Sequence, residues 1–545
     1  MNARYKLRCN SLGFILGCAL FFTLCHNALF ISKAWSLIRF DSSESYFFAA
    51  TIPLVIFCAL NIIFSLLPVP LLRKPLIILF LLGGAAANYF MFSYGAVIDA
   101  NMMQNAFETN AQEATALFTP RMALWLLVLG ITPAIIICFV RIQATRPWWY
   151  MLGLRAANIL LSAVIIMLVA ALFYKDYASL IRNNKSIVKM LTPSNFVSGS
   201  FQFARHKYFA SNMSLVRIGE DAHKGPVISG QQKRTLVILV VGETARAENF
   251  SLGGYGRATN PRLQKQDVTY FNNASSCGTE TAISVPCMFS NMPRKNYDAT
   301  LASHQEGLMD ILARAGLNVL WRENDGGCKG ACDRTPHQDV TQLQLTTDCE
   351  NGVCLDNALL YKLDNYINGL QGDGVIVLHQ MGSHGPAYYR RSTPEIRQFA
   401  PTCDSNQIQD CTAQELVNTY DNSILYTDAM LDNTIKLLQQ QSARFNTALV
   451  YLSDHGESLG ENGMYLHGTP YMFAPGQQTH IPFLMWLSPE YTKNYGIDRQ
   501  CLAKSAQHDE ISQDNLFHTL LGMMNIQTNE YQSGMDLLEK CRTQG

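Results

Sequence analysis

Long apolar runs separated by short polar segments dominate the first third of the chain. Each run has about 20 residues, which is the length that spans the hydrocarbon core of a bilayer. The runs cover residues 11–31, 48–68, 75–97, 121–141 and 155–174. A single run could be a buried core helix, but five in series predict a membrane domain of five helices. The first run is too long for a signal-peptide core and lacks a small-residue cleavage pattern, so it counts as a helix.

Charged residues in the polar segments predict the orientation of this membrane domain. Segments rich in Lys and Arg face the cytoplasm. Such residues precede the first run and lie between runs two and three and between runs four and five: Arg4, Lys6, Arg8, Arg73, Lys74, Arg141, Arg146 and Arg155. The segment between runs three and four instead carries Asp99, Glu108 and Glu113. We therefore expect a cytoplasmic N-terminus, with everything after Lys175 on the opposite side.

The pattern changes after the fifth run. Residues 176–230 predict a connector, and its stretch YASLIRNNKSIVKML is amphipathic. That stretch could lie on the membrane surface or be an ordinary packed helix. From residue 231 onward, short buried-type strands alternate with helical stretches, which predicts a mostly parallel α/β sheet with helices on both faces. The predicted strands are TLVILVVGE, GLNVLWR, GVIVLHQ, TALVYLS and IPFLMWL. The predicted domains are thus 1–175, 176–230 and 231–545.

The net charge and the cysteines indicate which partners and which cellular compartment to expect. The formal net charge is zero, so no global field favours a nucleic acid. Of the 15 cysteines, five lie in or beside the apolar runs and ten lie after residue 270. The ten form close neighbours in sequence: Cys277/Cys287, Cys328/Cys332, Cys349/Cys354, Cys403/Cys411 and, more distantly, Cys501/Cys541. No spacing pairs two CxxC units as zinc knuckles do, so we expect disulfides in an exported domain.

Metal-type ligands follow the predicted strands. Glu243 ends the first strand, Asp454 and His455 follow the strand TALVYLS, and His384 and His467 lie in nearby loops. In open α/β sheets, ligands gather beyond the carboxyl ends of the strands. Carboxylate oxygen and imidazole nitrogen are good zinc ligands, so we expect a metal site here. A further histidine, His379, lies within a predicted strand, and packing in the core is the preferred interpretation for it.

The stretch SSCGTETAISVPC offers three hydroxyl nucleophiles: Thr279, Thr281 and Ser284. A hydroxyl is a weak nucleophile at neutral pH unless a base or a metal activates it. A divalent metal held by Glu243, Asp454 and His455 would leave one position open for such a hydroxyl. The residues alone do not choose among the three.

Five stretches together resemble the lipid A phosphoethanolamine transferases of Gram-negative bacteria, a family that includes the mobile colistin-resistance enzymes. The stretches are VVGETARAENFSLGGY, SSCGTETAISVPCMFS, GGCKGACDR, GSHGPAYY and YLSDHGESLGENGMYLHG. The resemblance covers the membrane part, the connector and the exported part. It implies that the exported part is a periplasmic α/β domain of alkaline phosphatase/sulfatase-like type.

The resemblance also implies roles for particular residues. It chooses Thr281 as the nucleophile and implies a zinc ion held by Glu243, Thr281, Asp454 and His455. It places His384, His467 and Lys329 around the substrate, with a second zinc ion sometimes bound near the two histidines. It further implies that Asn105, Thr109 and Glu113 lie near the phosphoethanolamine group. Their spacing of four residues puts all three on one helical face, although a solvated polar face has the same pattern.

The expected activity is transfer of phosphoethanolamine from phosphatidylethanolamine to a lipid A phosphate, through a covalent intermediate on Thr281. The added amine would reduce the negative charge of lipid A and so give resistance to polymyxin and other cationic peptides. We expect a monomer in the bacterial inner membrane and no nucleic-acid partner. One alternative is the same chemistry on another acceptor, namely core oligosaccharide, a periplasmic glucan or water. A membrane-anchored phosphatase or sulfatase and a scaffold with a degenerate metal site are the others.

Overall fold

The computed structural model describes residues 8–67, 70–109, 111–143, 147–210, 213–343, 345, 348–350 and 353–543. The chain divides into two compact units. Unit 1 comprises Met1–Gln104 and Phe118–Phe203, and unit 2 comprises Asn105–Leu117 and Ala204–Gly545. The short segment 105–117, which the sequence places between two apolar runs, therefore belongs with the C-terminal unit.

Unit 1 is helical. The helices wholly within unit 1 are α1 (Ser11–Phe21), α2 (Ala28–Ser36), α3 (Ser43–Leu66), α4 (Pro70–Tyr94), α7 (Pro120–Leu126), α8 (Thr132–Phe139), α9 (Trp148–Asn183) and α10 (Lys185–Val188). Helices α5 (Ala100–Glu108) and α11 (Ser194–Ala210) each have residues in both units, and α6 (Ala111–Leu117) belongs to unit 2. Short π-helical turns continue α1 to His26 and join α7 to α8. Two three-residue strands, β1 (Arg8–Asn10) and β2 (Arg141–Gln143), pair in parallel.

Four spans among the described residues are long and apolar enough to cross a bilayer: Ser43–Leu66, Leu72–Tyr94, Pro120–Phe139 and Trp148–Arg182. A fifth is obtained when the pair Ser11–His26 and Ala28–Ser36, bent by 53°, is counted as one span. The bend lies at Asn27, whose buried side chain donates to the carbonyl of Phe22 and exchanges hydrogen bonds with the backbone of Thr192. Four of the five predicted spans are thus present as spans, whereas the first apolar run forms a bent pair of helices with a hydrogen-bonded asparagine at the bend.

Polar contacts hold α3 against α9. Asn61 on α3 donates to Asn158, at 3.1 Å, and to Ser162, at 2.8 Å, both on α9. In a lipid environment such hydrogen bonds and close packing take over from the hydrophobic effect in holding helices together. Helix α9 continues beyond the predicted span to Asn183, with non-helical angles at Phe173.

Unit 2 is built on an eight-stranded sheet. Its strands are β4 (Arg234–Gly242), β5 (Val268–Ser275), β6 (Asn318–Glu323), β7 (His337–Asp339), β10 (Gly374–His379), β11 (Phe445–Ser453), β14 (His480–Leu487) and β15 (Glu510–Ser512), in the order β15-β5-β14-β11-β4-β10-β6-β7. Three two-stranded pairs are β3 (His223–Lys224) with β16 (Ile526–Gln527), β8 (Cys349–Glu350) with β9 (Val353–Cys354), and β12 (Ser458–Leu459) with β13 (Tyr465–Leu466).

Helices cover the sheet. The helices of unit 2 after the connector are α12 (Pro226–Ser229), α13 (Thr281–Met288), α14 (Ala299–Ala302), α15 (Leu308–Arg314), α16 (Leu363–Gly369), α17 (Ala413–Gln440), α18 (Gly476–Thr479), α19 (Pro489–Asn494), α20 (Arg499–His508) and α21 (Asp514–Met523). Strands β10 and β11 are buried along their whole length, as is β4 after Arg234. Near-continuous apolar runs of this kind are typical of parallel strands buried on both faces.

All five predicted strands are present, and the sheet is mostly parallel as expected. The exception is β14, which runs antiparallel to both β11 and β5. The sequence pattern did not predict β5, whose polar residues, such as Asn272 and Asn273, interrupt its apolar character. Periodicity shows that a strand is buried but not which way it runs, so the direction of β14 needed the tertiary structure.

All ten cysteines after residue 270 form disulfides, and the pairing is the predicted one between sequence neighbours. The free cysteines among the described residues all lie in unit 1: Cys9, Cys18, Cys25, Cys58 and Cys138.

Candidate active site

Three neighbouring strands of unit 2 end at one place and deliver the predicted ligands there. Strand β4 lies between β11 and β10, and Gly242 at its end is paired with Ser453 at the end of β11. Glu243 therefore follows β4 directly beside Asp454 and His455, which follow β11. All three side chains are fully buried. Parallel strands in register carry their first loop residues to the same edge, which is why positions 211 residues apart in sequence meet here.

The hydrogen bonds of His455 fix the tautomer of its ring. Its Nδ1 atom lies 2.8 Å from the carbonyl oxygen of Gly456, which can only accept a hydrogen bond. Nδ1 therefore carries the proton, and Nε2 presents a lone pair. The Nε2 atom lies 3.2 Å from Oδ2 of Asp454 and 3.7 Å from Oε1 of Glu243. The other oxygen of Asp454 already accepts from the backbone N–H groups of Thr244 and His455.

Two acceptor atoms that face one another at 3.2 Å repel unless a positive charge lies between them. Oδ2 of Asp454 and Nε2 of His455 are buried and have no hydrogen-bond partner among the described residues. Ligand atoms around a tetrahedral zinc ion are about 3.3–3.6 Å apart, given metal–ligand bonds of about 2.0–2.2 Å. With Glu243 these residues form a group whose donor atoms all lie within 4.8 Å of one another. The donor set therefore fits a divalent cation such as zinc.

Thr281 is the first residue of α13, and its hydroxyl lies 3.1 Å from Oε2 of Glu243, to which it donates. The other two candidate nucleophiles are engaged elsewhere. The hydroxyl of Thr279 donates to the carbonyl of Thr469 at 2.6 Å, and that of Ser284 is buried and accepts from Gly278 at 3.0 Å. The structure thus brings Thr281, alone among the three, to the carboxylate of Glu243. The N-terminus of a helix also favours negative charge there.

A disulfide and a buried glutamine hold the loop that presents Thr281. Cys277 and Cys287 are bonded across the start and the body of α13. The side chain of Gln513 accepts from the backbone N–H of Cys277 at 2.7 Å and donates to the carbonyl of Asp454 at 2.6 Å. Gln513 is fully buried and therefore ties this loop directly to the metal-type ligands. No sequence pattern pointed to Gln513.

Two glycines allow the backbone to approach the site closely. A Cβ atom at Gly456 would meet the carbonyl oxygen of Gln477 at 2.0 Å, and one at Gly382 would meet the carbonyl oxygen of Glu243 at 2.4 Å. Gly382 also has a φ angle of +51°. Both contacts are with backbone atoms, so a side chain at Gly382 would displace Glu243, and one at Gly456 would shift the backbone directly after His455 or that of Gln477.

The predicted histidines His384 and His467 lie together on one side of the donor set. Their ring centroids are 5.4 Å apart, and the ring of His467 lies 4.5 Å from that of His455. Nδ1 of His467 is 3.4 Å from the carboxylate of Glu457, which is fully buried. Glu457 was not predicted from the sequence as a partner of His467, although it stands two residues after His455.

The pKa values of these histidines differ in direction. Burial, reinforced by the neighbouring His467, lowers the pKa of His455 well below its usual value. Burial also lowers the pKa of His384, again with a contribution from His467. Burial alone would lower the pKa of His467 as well, but the charge of Glu457 and the hydrogen bond to it, with smaller effects of the charges of Asp454 and Glu280, leave it raised.

His379 lies near Glu243, and the charge of Lys329 acts on His379. Lys329 belongs to the loop closed by the Cys328–Cys332 disulfide and adopts a left-handed backbone with φ of +50°. His379 is fully buried at the end of β10, with Nε2 3.8 Å from Oδ2 of Asp325. Burial, opposed by the charge of Asp454 and reinforced by that of Lys329, lowers the pKa of His379 to about 4. Glu243, Asp325 and His379 form a second group with metal-ligand spacing.

The predicted residues of the segment between the third and fourth apolar runs do not share the face of one helix as expected, because α5 ends at Glu108, before Thr109, and Glu113 lies on α6. The side-chain amide of Asn105 donates to Oε2 of Glu280, the residue before the candidate nucleophile. The hydroxyl of Thr109 donates to the carbonyl of Asn105 at 2.6 Å. Glu113 lies in α6, and its side chain is outside the described residues. The sequence analysis did not single out Glu280.

Comparison with known proteins follows the same two-part division. Residues 56–208 match the family model described as phosphoethanolamine transferase EptA/EptB, and residues 235–526 match the sulfatase model. The phosphoethanolamine transferase EptA of Escherichia coli K12 is 52% identical over 533 residues, which are 98% of this chain and 97% of that relative. The chain belongs to the EptA family of phosphoethanolamine transferases. The predicted resemblance is thereby confirmed.

Other members of the EptA family extend the comparison. The phosphatidylethanolamine transferase Mcr-1 of Escherichia coli is 36% identical and aligns with 91% of this chain and 92% of its own length. The solved integral membrane lipooligosaccharide phosphoethanolamine transferase A of Neisseria meningitidis has a TM-score of 0.95 and 41% identity, covering 99% of this chain and all of that one. The predicted architecture, apolar helices followed by a sulfatase-like α/β domain, is confirmed and is that of a full-length EptA-family membrane protein.

Proposed function

We propose that this phosphoethanolamine transferase moves phosphoethanolamine from phosphatidylethanolamine to a phosphate of lipid A, through a covalent intermediate on Thr281. The observation that carries the proposal is the position of the Thr281 hydroxyl, 3.1 Å from Glu243 and at the N-terminus of α13, beside the donor set of Asp454 and His455. A nucleophile, an activating site and a helix N-terminus for the phosphoryl charge are the parts that such a transfer needs.

The metal we propose is zinc, held by Glu243, Thr281, Asp454 and His455. The donor set contains oxygen and neutral imidazole nitrogen, which zinc accepts in four-coordinate sites. When bound, zinc would lower the pKa of the threonine hydroxyl, as it does for bound water. His384 and His467 would contact the phosphate and could hold a second zinc ion, and Lys329 would add positive charge.

The first step we propose forms a bond between Oγ1 of Thr281 and the donor phosphorus. The bond from phosphorus to the glycerol oxygen breaks, and diacylglycerol leaves with the proton that Thr281 has lost. In the second step an oxygen of the lipid A phosphate attacks the same phosphorus. The bond to Thr281 breaks, and the threonine oxygen regains a proton from the attacking phosphate. Phosphoethanolamine ends on lipid A through a new P–O–P linkage, and two-step transfer of this kind predicts ping-pong kinetics.

Both proposed substrates are membrane lipids, which gives the apolar helices of unit 1 a role. Confinement to the lipid plane raises the effective concentration of donor and acceptor at the site. The names of the relatives support the same choice, since Mcr-1 is named a phosphatidylethanolamine transferase and the Neisseria protein acts on lipooligosaccharide. The product would carry less negative charge and bind polymyxin and other cationic peptides less tightly.

The remaining expectations belong to this proposal. We place the protein in the bacterial inner membrane as a monomer, with a cytoplasmic N-terminus and a periplasmic catalytic domain. The proposed domains are the membrane domain 1–175, a connector 176–230 and the catalytic domain 231–545. Disulfides in unit 2, with free cysteines in unit 1, support an oxidising compartment for the C-terminal unit. Asn105, Thr109 and Glu113 are proposed to act near the phosphoethanolamine group.

The test is mass spectrometry of lipid A from cells with and without the protein. We expect lipid A heavier by one phosphoethanolamine group only when the protein is present, and no such species with Thr281→Ala at equal expression. The group on core sugar or a glucan instead would show another acceptor. No modified lipid or sugar in any fraction would contradict the proposal and favour a hydrolase or a non-enzymatic role.

A further inference from the structure

Glu280 lies directly before the proposed nucleophile. It is the N-cap residue of α13, the helix that begins with Thr281, and it is 3% exposed. Its backbone carbonyl accepts from the N–H groups of Ile283 and Ser284, so the main chain of Glu280 is fixed by the first turn of the helix. Its side chain is therefore buried directly beside the residue at which phosphorus must bind.

The other carboxylates around this place have different partners. Glu243 and Asp454 belong to the donor set for the cation, and Glu457 contacts His467. The phosphoethanolamine group is zwitterionic, with its ammonium two methylene groups away from the phosphate ester oxygen. When the phosphate is held at Thr281, the ammonium must lie within a short reach of that residue. A carboxylate at the neighbouring position is suited to accept its hydrogen bonds.

We propose that Glu280 binds the ammonium group of the donor and thereby selects phosphatidylethanolamine over lipids that lack an ammonium. The inference rests on the proposed function, because it assigns a part of the same donor headgroup. In this role Glu280 determines which donor lipid is used, whereas other groups of the site act on phosphorus.

Asn105 is a positioning residue in this arrangement. Its amide donates to Oε2 of Glu280, which fixes the orientation of the carboxylate. A carboxylate offers about four lone-pair directions, so accepting from an amide is compatible with binding an ammonium. The segment that carries Asn105 is also fixed at its other end, where the side chain of Asn406 donates to the carbonyl of Ala116 at 2.8 Å. Asn406 lies in the loop closed by the Cys403–Cys411 disulfide.

The test is a competition between two donor lipids in one vesicle. Phosphatidylethanol has a methyl group where phosphatidylethanolamine has a methylene-ammonium group, and both release diacylglycerol. The full chain is reconstituted with equal amounts of the two lipids and no acceptor, and the adducts on the Thr281 peptide are counted by mass spectrometry. The ratio of phosphoethanolamine to phosphoethyl adduct measures selectivity within a single sample. It is independent of how much protein is folded or metal-loaded.

We expect the natural chain to favour phosphoethanolamine and Glu280→Gln to lower the ratio by about tenfold or more, as for loss of a charge-assisted hydrogen bond. Glu280→Asp keeps the charge but shortens the side chain by one methylene, so it should give an intermediate ratio and serves if the Gln variant does not fold. Asn105→Ala should lower the ratio in the same direction. Glu510→Gln, at an exposed position of β15, is the matched control and should leave the ratio unchanged.

Two outcomes would overturn the inference while leaving the proposed function intact. One is an unchanged adduct ratio in Glu280→Gln and Glu280→Asp. The other is a ratio that falls only in Glu113→Gln, which would assign the ammonium to that residue. If the natural chain forms no adduct with either lipid, the proposed function itself fails and this inference fails with it.

Discussion

The hydroxyl of Thr281 lies 3.1 Å from Oε2 of Glu243, although the two residues are 38 positions apart in sequence. Glu243 is placed by the end of a central parallel strand, and Thr281 by the start of a helix that a disulfide and Gln513 hold in position. A hydroxyl donor and a carboxylate in this relation, beside Asp454 and His455, form the core of the proposed site.

Replacement of Thr281 separates its role as a nucleophile from a structural role. Thr281→Ala should lower phosphoethanolamine transfer in reconstituted vesicles by at least about a thousandfold, because a nucleophile has no substitute in the site. Thr281→Ser keeps the hydroxyl and should retain measurable transfer. Both variants should melt within about 2 °C of the natural chain, since the hydroxyl and methyl groups lost in the Ala variant, and the methyl group lost in the Ser variant, contribute little to stability at a half-buried position. Substantial transfer by the Ala variant would exclude Thr281.

Zinc content tests the donor set without reference to activity. Purified protein should carry tightly bound zinc, and His455→Gln should lower zinc affinity about tenfold or more because one ligand is lost. Thr281→Ala should still bind zinc through the three remaining ligands. His480→Gln is the matched control, since His480 is exposed and contacts the carbonyl of Asn272. Undiminished zinc in His455→Gln, measured by elemental analysis after dialysis, would show that the ion binds elsewhere.

The Cys277–Cys287 disulfide should matter for both stability and chemistry. Replacing both cysteines by serine removes a short cross-link, worth about 2–3 kcal/mol by its effect on the unfolded chain. Because this bridge holds the loop that presents Thr281, adduct formation per folded molecule should also fall. The matched control replaces Cys501 and Cys541, a bridge between α20 and the C-terminal region, which should lower the melting temperature but not adduct formation. Equal adduct formation by both double variants would contradict a positioning role for Cys277–Cys287.

The burial of His518 predicts that the folded protein is less stable in mild acid. It is buried in α21, its Nδ1 accepts from the backbone N–H of Gln532, and burial lowers its pKa to about 4. The unfolded value is about 6.5, so the folded state holds the neutral ring. Below pH 6.5 the unfolded state binds a proton at this ring more readily than the folded state does. The free energy of unfolding is therefore fully retained above pH 6.5 and falls as pH falls from 6.5 toward 4, by about 2 kcal/mol at pH 5.

The measurement compares the melting temperature of the natural chain with that of His518→Asn at pH 7.5 and pH 5. Asparagine keeps an acceptor near the Nδ1 position but does not titrate. We expect the melting temperature of the natural chain to fall more between pH 7.5 and pH 5 than that of the variant. An equal loss in both proteins would mean that burial of His518 does not contribute.

Much of the fold and part of the site could be predicted from sequence for identifiable reasons. The five apolar runs and the buried strands have strong local patterns, and parallel strands necessarily bring Glu243, Asp454 and His455 to one edge. The choice of Thr281 over Thr279 and Ser284 came from the family resemblance, and the structure adds a reason in their hydrogen bonds.

What the sequence could not provide depends on contacts between distant segments. Gln513 reaches the site from a loop near the C-terminus, and Asn105 reaches Glu280 across 175 positions. The direction of β14 likewise depends on its neighbours in the sheet rather than on its own residues. The bend at Asn27 was also unforeseen, because an isolated asparagine in an apolar run reveals neither of its backbone partners.

Covalent labelling of Thr281 tests the central claim most directly. The full chain is incubated in vesicles with phosphatidylethanolamine and without an acceptor, digested, and mapped by mass spectrometry. We predict one phosphoethanolamine group on Thr281 and its disappearance when lipid A is added. An adduct on Thr279 or Ser284, or transfer to lipid A with no adduct on any residue, would contradict Thr281 as the nucleophile.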